Sequence, residues 1–263
     1  MSDDDERFTS LGVQLAGLCY RLGLRDDDEV LDVGCSVGRL AIGLLSGTDF
    51  RGRYVGFDVM KRQVLWARRN LRGVAPDFHF KHADVRNARY NPTGAVHPRD
   101  FRFPVRSDGF HFAALFSVFT HFYADDIELY LHELRRVLRP GGAVLATWFL
   151  YTDDTRDAAV TNSTYPMTHR LDEHTIYNDA EDPLRAIAFH ERRVREMVAA
   201  SGLEISKIER GRWNGGPGPE FQDVVLLRRP EAPAAPADRS SVVRVRRLLG
   251  RVRRGLRSTL SRD

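Results

Sequence analysis

The chain is nearly devoid of lysine, holds two cysteines, and lacks any apolar run approaching a bilayer span. Lysine stands only at Lys61, Lys81 and Lys207 in 263 residues, so the cationic charge is almost all arginine. That bias carries no functional reading. Cys19 and Cys35 cannot form a disulfide framework. A membrane span needs roughly 20 consecutive apolar residues, and none is present. Residues 1–6 are acidic, with neither a basic start nor an apolar h-region, so no secretory signal is predicted. A reducing cytoplasm is the expected compartment. What is there is ordinary for a globular protein, 42% hydrophobic and 29% charged residues.

The net charge of +4 is unevenly placed. Nine arginines against Glu231, Asp238 and Asp263 give residues 230–263 a charge of +6, which leaves −2 on residues 1–229. The tail is basic and the domain is not, so a bulk electrostatic case for nucleic-acid binding by the domain fails. Within the tail, Pro and Ala dominate residues 230–240, a linker composition. Beyond it Val245, Leu248, Leu249, Val252, Leu256 and Leu260 recur at helical spacing between arginines. A basic amphipathic segment of this kind at residues 241–263 suits peripheral contact with an anionic membrane; an acidic partner or nucleic acid, or no specific role, are the other readings.

Strand and helix patterns alternate along the rest. Phe8, Leu11, Leu15, Leu18 and Leu22 predict a first helix. A short apolar strand at residues 29–34, a helix containing Leu40 to Leu45, a strand at 54–57, a helix at 60–71 and a strand at 77–82 follow. Residues 110–116 form a continuous apolar run, the pattern of a strand covered on both faces. A helix at 125–138 is stopped by Pro140-Gly-Gly142, and a fifth strand occupies 143–150. After a helix at 190–201, strands at 203–208 and 221–227 are joined by a Gly- and Pro-rich segment and predict an antiparallel hairpin. Such alternation predicts a doubly wound α/β domain over residues 1–229, with a mostly parallel sheet. Two long segments interrupt it, a loop at 86–107 and a polar insertion at 152–189, the latter expected to serve as a lid over an acceptor.

Val30-Leu-Asp-Val-Gly-Cys-Ser-Val-Gly38 is the sharpest local signal. A strand enters a glycine turn and then a helix, the place where open α/β sheets bind ligands. Gly34 and Gly38 permit the turn, and Asp58, about twenty residues on, suits a carboxylate facing ribose hydroxyls. The nicotinamide fingerprint G-x-G-x-x-G is poorly matched, since Ser36 and Arg39 occupy its later glycine positions. Asp32 would repel a diphosphate and attract a cation such as a sulfonium. Cys35 reads as a small packing residue rather than a nucleophile.

Taken in order, Leu31-Asp-Val-Gly-Cys-Ser-Val-Gly38, Gly56-Phe-Asp58, His82-Ala-Asp-Val85 and Leu138-Arg-Pro-Gly-Gly142 resemble the motifs of the class I S-adenosylmethionine-dependent methyltransferases. The resemblance covers about residues 10–229. It implies a Rossmann-like sheet of seven strands, S-adenosyl-L-methionine as cofactor, Asp58 on the ribose, Asp84 on the adenine amino group, and Gly34 with Gly38 beside the methionine moiety. The cofactor pocket it implies comprises Asp32, Gly34, Cys35, Ser36, Gly38, Asp58, Val59, Met60, Ala83, Asp84, Val85, Ser117 and Phe119. No metal ligand is assigned. Ser36 departs from the family's middle glycine.

Methyl transfer from a sulfonium requires alignment and exclusion of water, and a hydroxyl acceptor adds the need for a base. His121, in Leu115-Phe-Ser-Val-Phe-Thr-His121 just past the fourth strand, is the candidate base. The same run resembles a bacterial group of methyltransferases linked to sugar and glycolipid modification, which points toward O-methylation of a small acceptor. The Asp/Asn-Pro-Pro-aromatic motif of DNA N-methylating enzymes is missing here. Tyr151, Tyr165 and Trp213 are the expected acceptor contacts, with His169 and Tyr177 nearby in sequence. A nicotinamide oxidoreductase, or a binding protein that keeps the fold without turnover, are the alternatives.

Overall fold

A computed structural model describes residues 3–231. The linker beyond Glu231 and the basic segment 241–263 lie outside the described residues.

The chain opens with α1 (Asp3–Arg21), then runs β1 (Glu29–Val33), α2 (Arg39–Gly47), β2 (Arg53–Asp58), α3 (Lys61–Leu71), β3 (Phe78–His82), β4 (Phe110–Leu115), α4 (Ala124–Val137) and β5 (Leu138–Trp148). After the short β6 (Leu150–Tyr151) come α5 (Arg156–Val160), β7 (His169–Asp172), β8 (Thr175–Tyr177), β9 (Ile187–His190) and α6 (Glu191–Ala200). The hairpin β10 (Glu204–Glu209) and β11 (Asp223–Arg228) completes the sheet. Its seven strands lie in the order β10-β11-β5-β4-β1-β2-β3, parallel from β5 to β3 and antiparallel across β11. The order reverses between β1 and β4, and a crevice opens there at the carboxyl ends of the strands.

Both faces of the sheet are covered, because alternate side chains of each strand point to opposite layers. Leu31, Val33, Val55 and Phe57 join the layer of α4 and α6 with Leu131, Leu134 and Val198. Val30, Tyr54, Phe112 and Leu145 join the layer of α1, α2 and α3 with Leu40, Leu44 and Val64. In α4, Ile127, Tyr130, Leu131, Leu134 and Val137 make the buried stripe, while Asp125 and Asp126 in the first turn complement the helix dipole. Among the described residues no helix is long and apolar enough to cross a membrane.

Two departures from the sequence reading have clear causes. The fifth strand starts at Leu138, not after Pro140-Gly-Gly142: that turn is taken inside the strand as an irregularity, with Gly141 at φ 77° and a register shift against β4. The polar insertion is not a bare loop. It folds into a four-stranded sheet, β6-β9-β8-β7, over a core of Phe149, Tyr151, Met167, Ile176, Ala188 and Trp213. Its strands are two to four residues long, too short to display a period.

Helices α1 and α2 meet backbone to backbone. A Cβ on Gly43 would lie 1.9 Å from the carbonyl oxygen of Gly12, and one on Gly12 would lie 2.6 Å from that of Arg39. Gly43→Ala therefore forces the helices apart and is expected to lower unfolding free energy by on the order of 1–3 kcal/mol, read by denaturant titration. An unchanged midpoint would show that this contact is not close-packed in solution.

Candidate active site

The turn after β1 is fixed by hydrogen bonds to β2. Gly34 and Cys35 donate their amides to the Phe57 carbonyl at 2.9 and 3.1 Å, and the Gly38 amide donates to Cys35 O at 2.8 Å. Gly34 and Gly38 take φ of 79° and 84°, the left-handed region that favours glycine. Ser36 adopts φ 48° despite its side chain. Its amide donates to Asp58 Oδ2 at 2.8 Å, a bond that holds this residue in the turn.

Asp58 joins two loops. While Oδ2 accepts from Ser36, Oδ1 accepts from the Met60 amide at 2.7 Å. Burial raises its carboxyl above the ordinary range, opposed by the hydrogen bonds from Met60, Ser36 and Val59. Asp32 lies beside it, 4% exposed, with Oδ2 accepting from the fully buried Tyr54 hydroxyl at 2.5 Å. Burial pushes Asp32 up to about 7, the Tyr54 hydrogen bond pulls the other way, and the neighbouring Asp58 charge adds to the rise. A cation entering the crevice would offset that burial cost by favouring the ionised carboxylate.

These groups line one cavity of about 870 Å³. Of the residues expected around the cofactor, Asp32, Gly34, Cys35, Ser36, Asp58, Val59, Met60, Val85 and Ser117 line it. Gly38, Ala83, Asp84 and Phe119 do not. Gly38 sits behind the turn, where an added Cβ would touch Leu71 and Phe80. Ala83 is buried under β2, its amide on Asp58 O. Asp84 is exposed and accepts from Asn91 Nδ2 at 3.1 Å. Phe119 is fully buried against Trp148 and Phe122: Ser117 takes φ 56°, the chain closes a tight turn over residues 119–121, and strand alternation ends there.

His121 is on the cavity wall, and Nδ1 lies 2.9 Å from the Leu184 carbonyl. A carbonyl only accepts, so Nδ1 carries the proton and Nε2 keeps its lone pair in the neutral ring. Burial lowers the His121 pKa below the ordinary imidazole value; the Leu184 hydrogen bond opposes this and the Arg89 charge reinforces it. The Tyr90 ring meets His121 edge to face at 5.7 Å.

Of the expected acceptor contacts, only Tyr165 reaches the cavity, beside Thr164 and Phe221. Tyr151 is 2% exposed and packs against His190. Trp213 is 1% exposed and its indole N–H donates to Asp223 Oδ2 at 2.6 Å, so its ring is core and offers no face for stacking. His169 and Tyr177 stack on each other in the small sheet, outside the cavity lining. The sequence reading missed the wall supplied by α1 (Phe8, Leu11, Leu15 and Leu18), together with Asn87, Tyr130 and Gln222. The α1 stripe was visible as periodicity; that it covers a cavity was not.

Comparisons with known proteins agree with this geometry. Residues 30–142 match the family model described as a methyltransferase domain. A SAM-dependent methyltransferase from Methanosarcina mazei superposes with TM-score 0.54 at 18% identity, over 82% of this chain and 98% of that one. Geranyl diphosphate C-methyltransferase from Streptomyces coelicolor, solved with Mg2+, geranyl diphosphate and S-adenosyl-L-homocysteine, gives 0.54 at 14%, over 82% and 80%. The [4+2]-cyclase SpnF gives 0.57 at 16%, over 84% and 82%. At these identities the likeness establishes the fold.

The raised Asp32 carboxyl makes a signed prediction. Its folded value lies above its unfolded one, so the stability it contributes is complete below about pH 4 and is lost as pH rises through about 7. Binding of a cationic ligand reverses the preference. Affinity for S-adenosylmethionine should therefore strengthen as pH rises through about 7, with proton release. Asp32→Asn should weaken binding roughly 10-fold and flatten that dependence, as measured by calorimetry in buffers of different ionisation enthalpy.

Proposed function

We propose that this chain, whose residues 30–142 match a methyltransferase domain model, is a class I, S-adenosylmethionine-dependent enzyme that methylates a hydroxyl of a small acceptor: a sugar, a glycolipid precursor or a similar metabolite. One observation carries the choice of oxygen. His121 stands on the cavity wall with Nδ1 tied to Leu184 O, so in the neutral ring the lone pair that could take a proton is on Nε2.

The residues present suit the cofactor. Two buried carboxyls favour a cationic sulfonium and disfavour a diphosphate, and the turn at Gly34 brings backbone to the cavity edge. In this reading Asp58, whose oxygens retain lone pairs beyond the two amides, holds the ribose hydroxyls. Asp32 faces the positive charge of the methionine moiety. Val85 with Arg86 and Asn87 borders the adenine, and Asp84 acts through the loop it ties to Asn91. When bound, S-adenosylmethionine supplies an electrophilic methyl group. The chain's own part is to align the acceptor oxygen, exclude water with the apolar α1 wall, and move one proton. With the donor held beside Asp32 and Asp58, His121 Nε2 would take the acceptor's hydroxyl proton as the oxygen receives the methyl group.

The insertion at 152–189 is the acceptor element in this reading. It contributes Thr164 and Tyr165 to the wall and, through Leu184, the carbonyl that sets the imidazole tautomer. The domain acts as one catalytic unit over residues 1–229, and the basic segment beyond it serves as a peripheral attachment.

The test is acceptor screening with isotopically labelled donor. His121→Ala should lower kcat by about 10²–10⁴-fold while binding of S-adenosylhomocysteine is retained. Unchanged turnover would remove His121 as base. Because the neutral imidazole is required and burial lowers its pKa, the acid limb of kcat/KM should fall below the ordinary value of about 6.5.

A further inference from the structure

Helix α3 carries a face that the reaction does not use. From Met60 to Pro76 the chain has five cationic residues, Lys61, Arg62, Arg68, Arg69 and Arg72, and no Asp or Glu. Val64, Ala67 and Leu71 hold the helix to the sheet. On the opposite side Arg62, Leu65, Trp66 and Arg69 fall three and four residues apart and so share one face, which Arg72 extends past the helix end. Trp66 is 47% exposed, Leu65 41% and Val74 72%. Among the described residues no carboxylate forms an ion pair with Lys61, Arg62, Arg69 or Arg72. A helix that leaves an indole and a leucine in water within an unneutralised cationic field, with a valine exposed just past its end, has a large unmet preference for a surface both apolar and negative.

We infer that the outer face of α3 is a docking surface for an anionic lipid bilayer, with Trp66 and Leu65 entering the headgroup boundary and Arg62, Arg69 and Arg72 meeting lipid phosphates. Charge complementarity alone would also admit a nucleic acid. The exposed Leu65, Trp66 and Val74 decide for lipid, because phosphate contacts to a nucleic acid leave aliphatic side chains without a partner, whereas an interface buries them. The arginines of residues 239–262 belong to a different part of the sequence and are not needed for this surface.

The tryptophans make the test local. Trp148 and Trp213 are 0% and 1% exposed, the basic segment contains no tryptophan, and Trp66 alone stands in water. The full-length chain should cosediment with vesicles of equal phosphatidylglycerol and phosphatidylcholine. Its tryptophan emission should shift to the blue as Trp66 leaves water. Vesicles of phosphatidylcholine alone should do neither, and salt should weaken the anionic binding. Arg62→Gln, Arg69→Gln and Arg72→Gln combined keep the reporter and should cut vesicle affinity on the order of 100-fold, about fivefold per basic contact. Trp66→Ala should reduce cosedimentation while leaving S-adenosylhomocysteine binding intact, which certifies its fold. Cosedimentation with the emission unmoved would place the contact elsewhere and overturn the inference. So would no cosedimentation, or a blue shift obtained with duplex DNA or RNA but not with vesicles.

Discussion

The site depends on one buried carboxylate that holds two loops at once. Asp58 ends β2, and each of its oxygens accepts an amide, from Ser36 in the turn after β1 and from Met60 at the head of α3. Without it the two loops at the carboxyl edge of the sheet would share no polar link, and the Ser36 backbone would lose the bond that accompanies its left-handed conformation. Burying a carboxyl is costly unless it is hydrogen-bonded, and the amides offset that cost here. Asp32, one strand over, accepts from the Tyr54 hydroxyl, and burial raises its carboxyl to about 7. The two acids therefore divide the labour: one builds the crevice, and the other is left to respond to charge within it.

A second division runs between the sheet and its additions. Strands β1, β2 and β4 bring Asp32, Asp58 and Ser117 to a switch point that any doubly wound sheet would supply. The remaining wall of the cavity is built from pieces foreign to that sheet. Leu184, in a short turn of the insertion, fixes the His121 tautomer from 63 residues away, and α1 closes the cavity from the amino-terminal side. Asp223 ties this periphery to the core, its carboxylate accepting from Leu150, Gly211 and Trp213.

Much of this was legible in the residues. Strand boundaries at β1, β2, β3 and β4 fall within a residue or two of the patterns that announced them: alternation at the edge strand β3, and apolar runs at the covered strands. The glycine turn and its acidic neighbours were equally readable, since short spacings translate directly into local geometry. Phe119 was not. It sits two residues beyond a non-glycine residue at positive φ, and a single left-handed residue reverses which face the following side chains take. The insertion resisted for a different reason: its strands gain their partners from one another and from Leu150 and Tyr151, and no single segment carries the pattern.

The amino-acid sequence by itself determined the layer architecture, the turn after β1 and the pair of acids beside it, because these follow from period, glycine and spacing within a few dozen residues. Only the tertiary structure decided which aromatic side chains face the cavity. Trp213 and Tyr151, polar-tipped and suited to an acceptor, were drawn into a core by Asp223 and His190, while the plain stripe of Phe8, Leu11 and Leu15 became a wall. Burial is settled by what lies across from a residue in space, and the chain does not record that partner at the residue's own position.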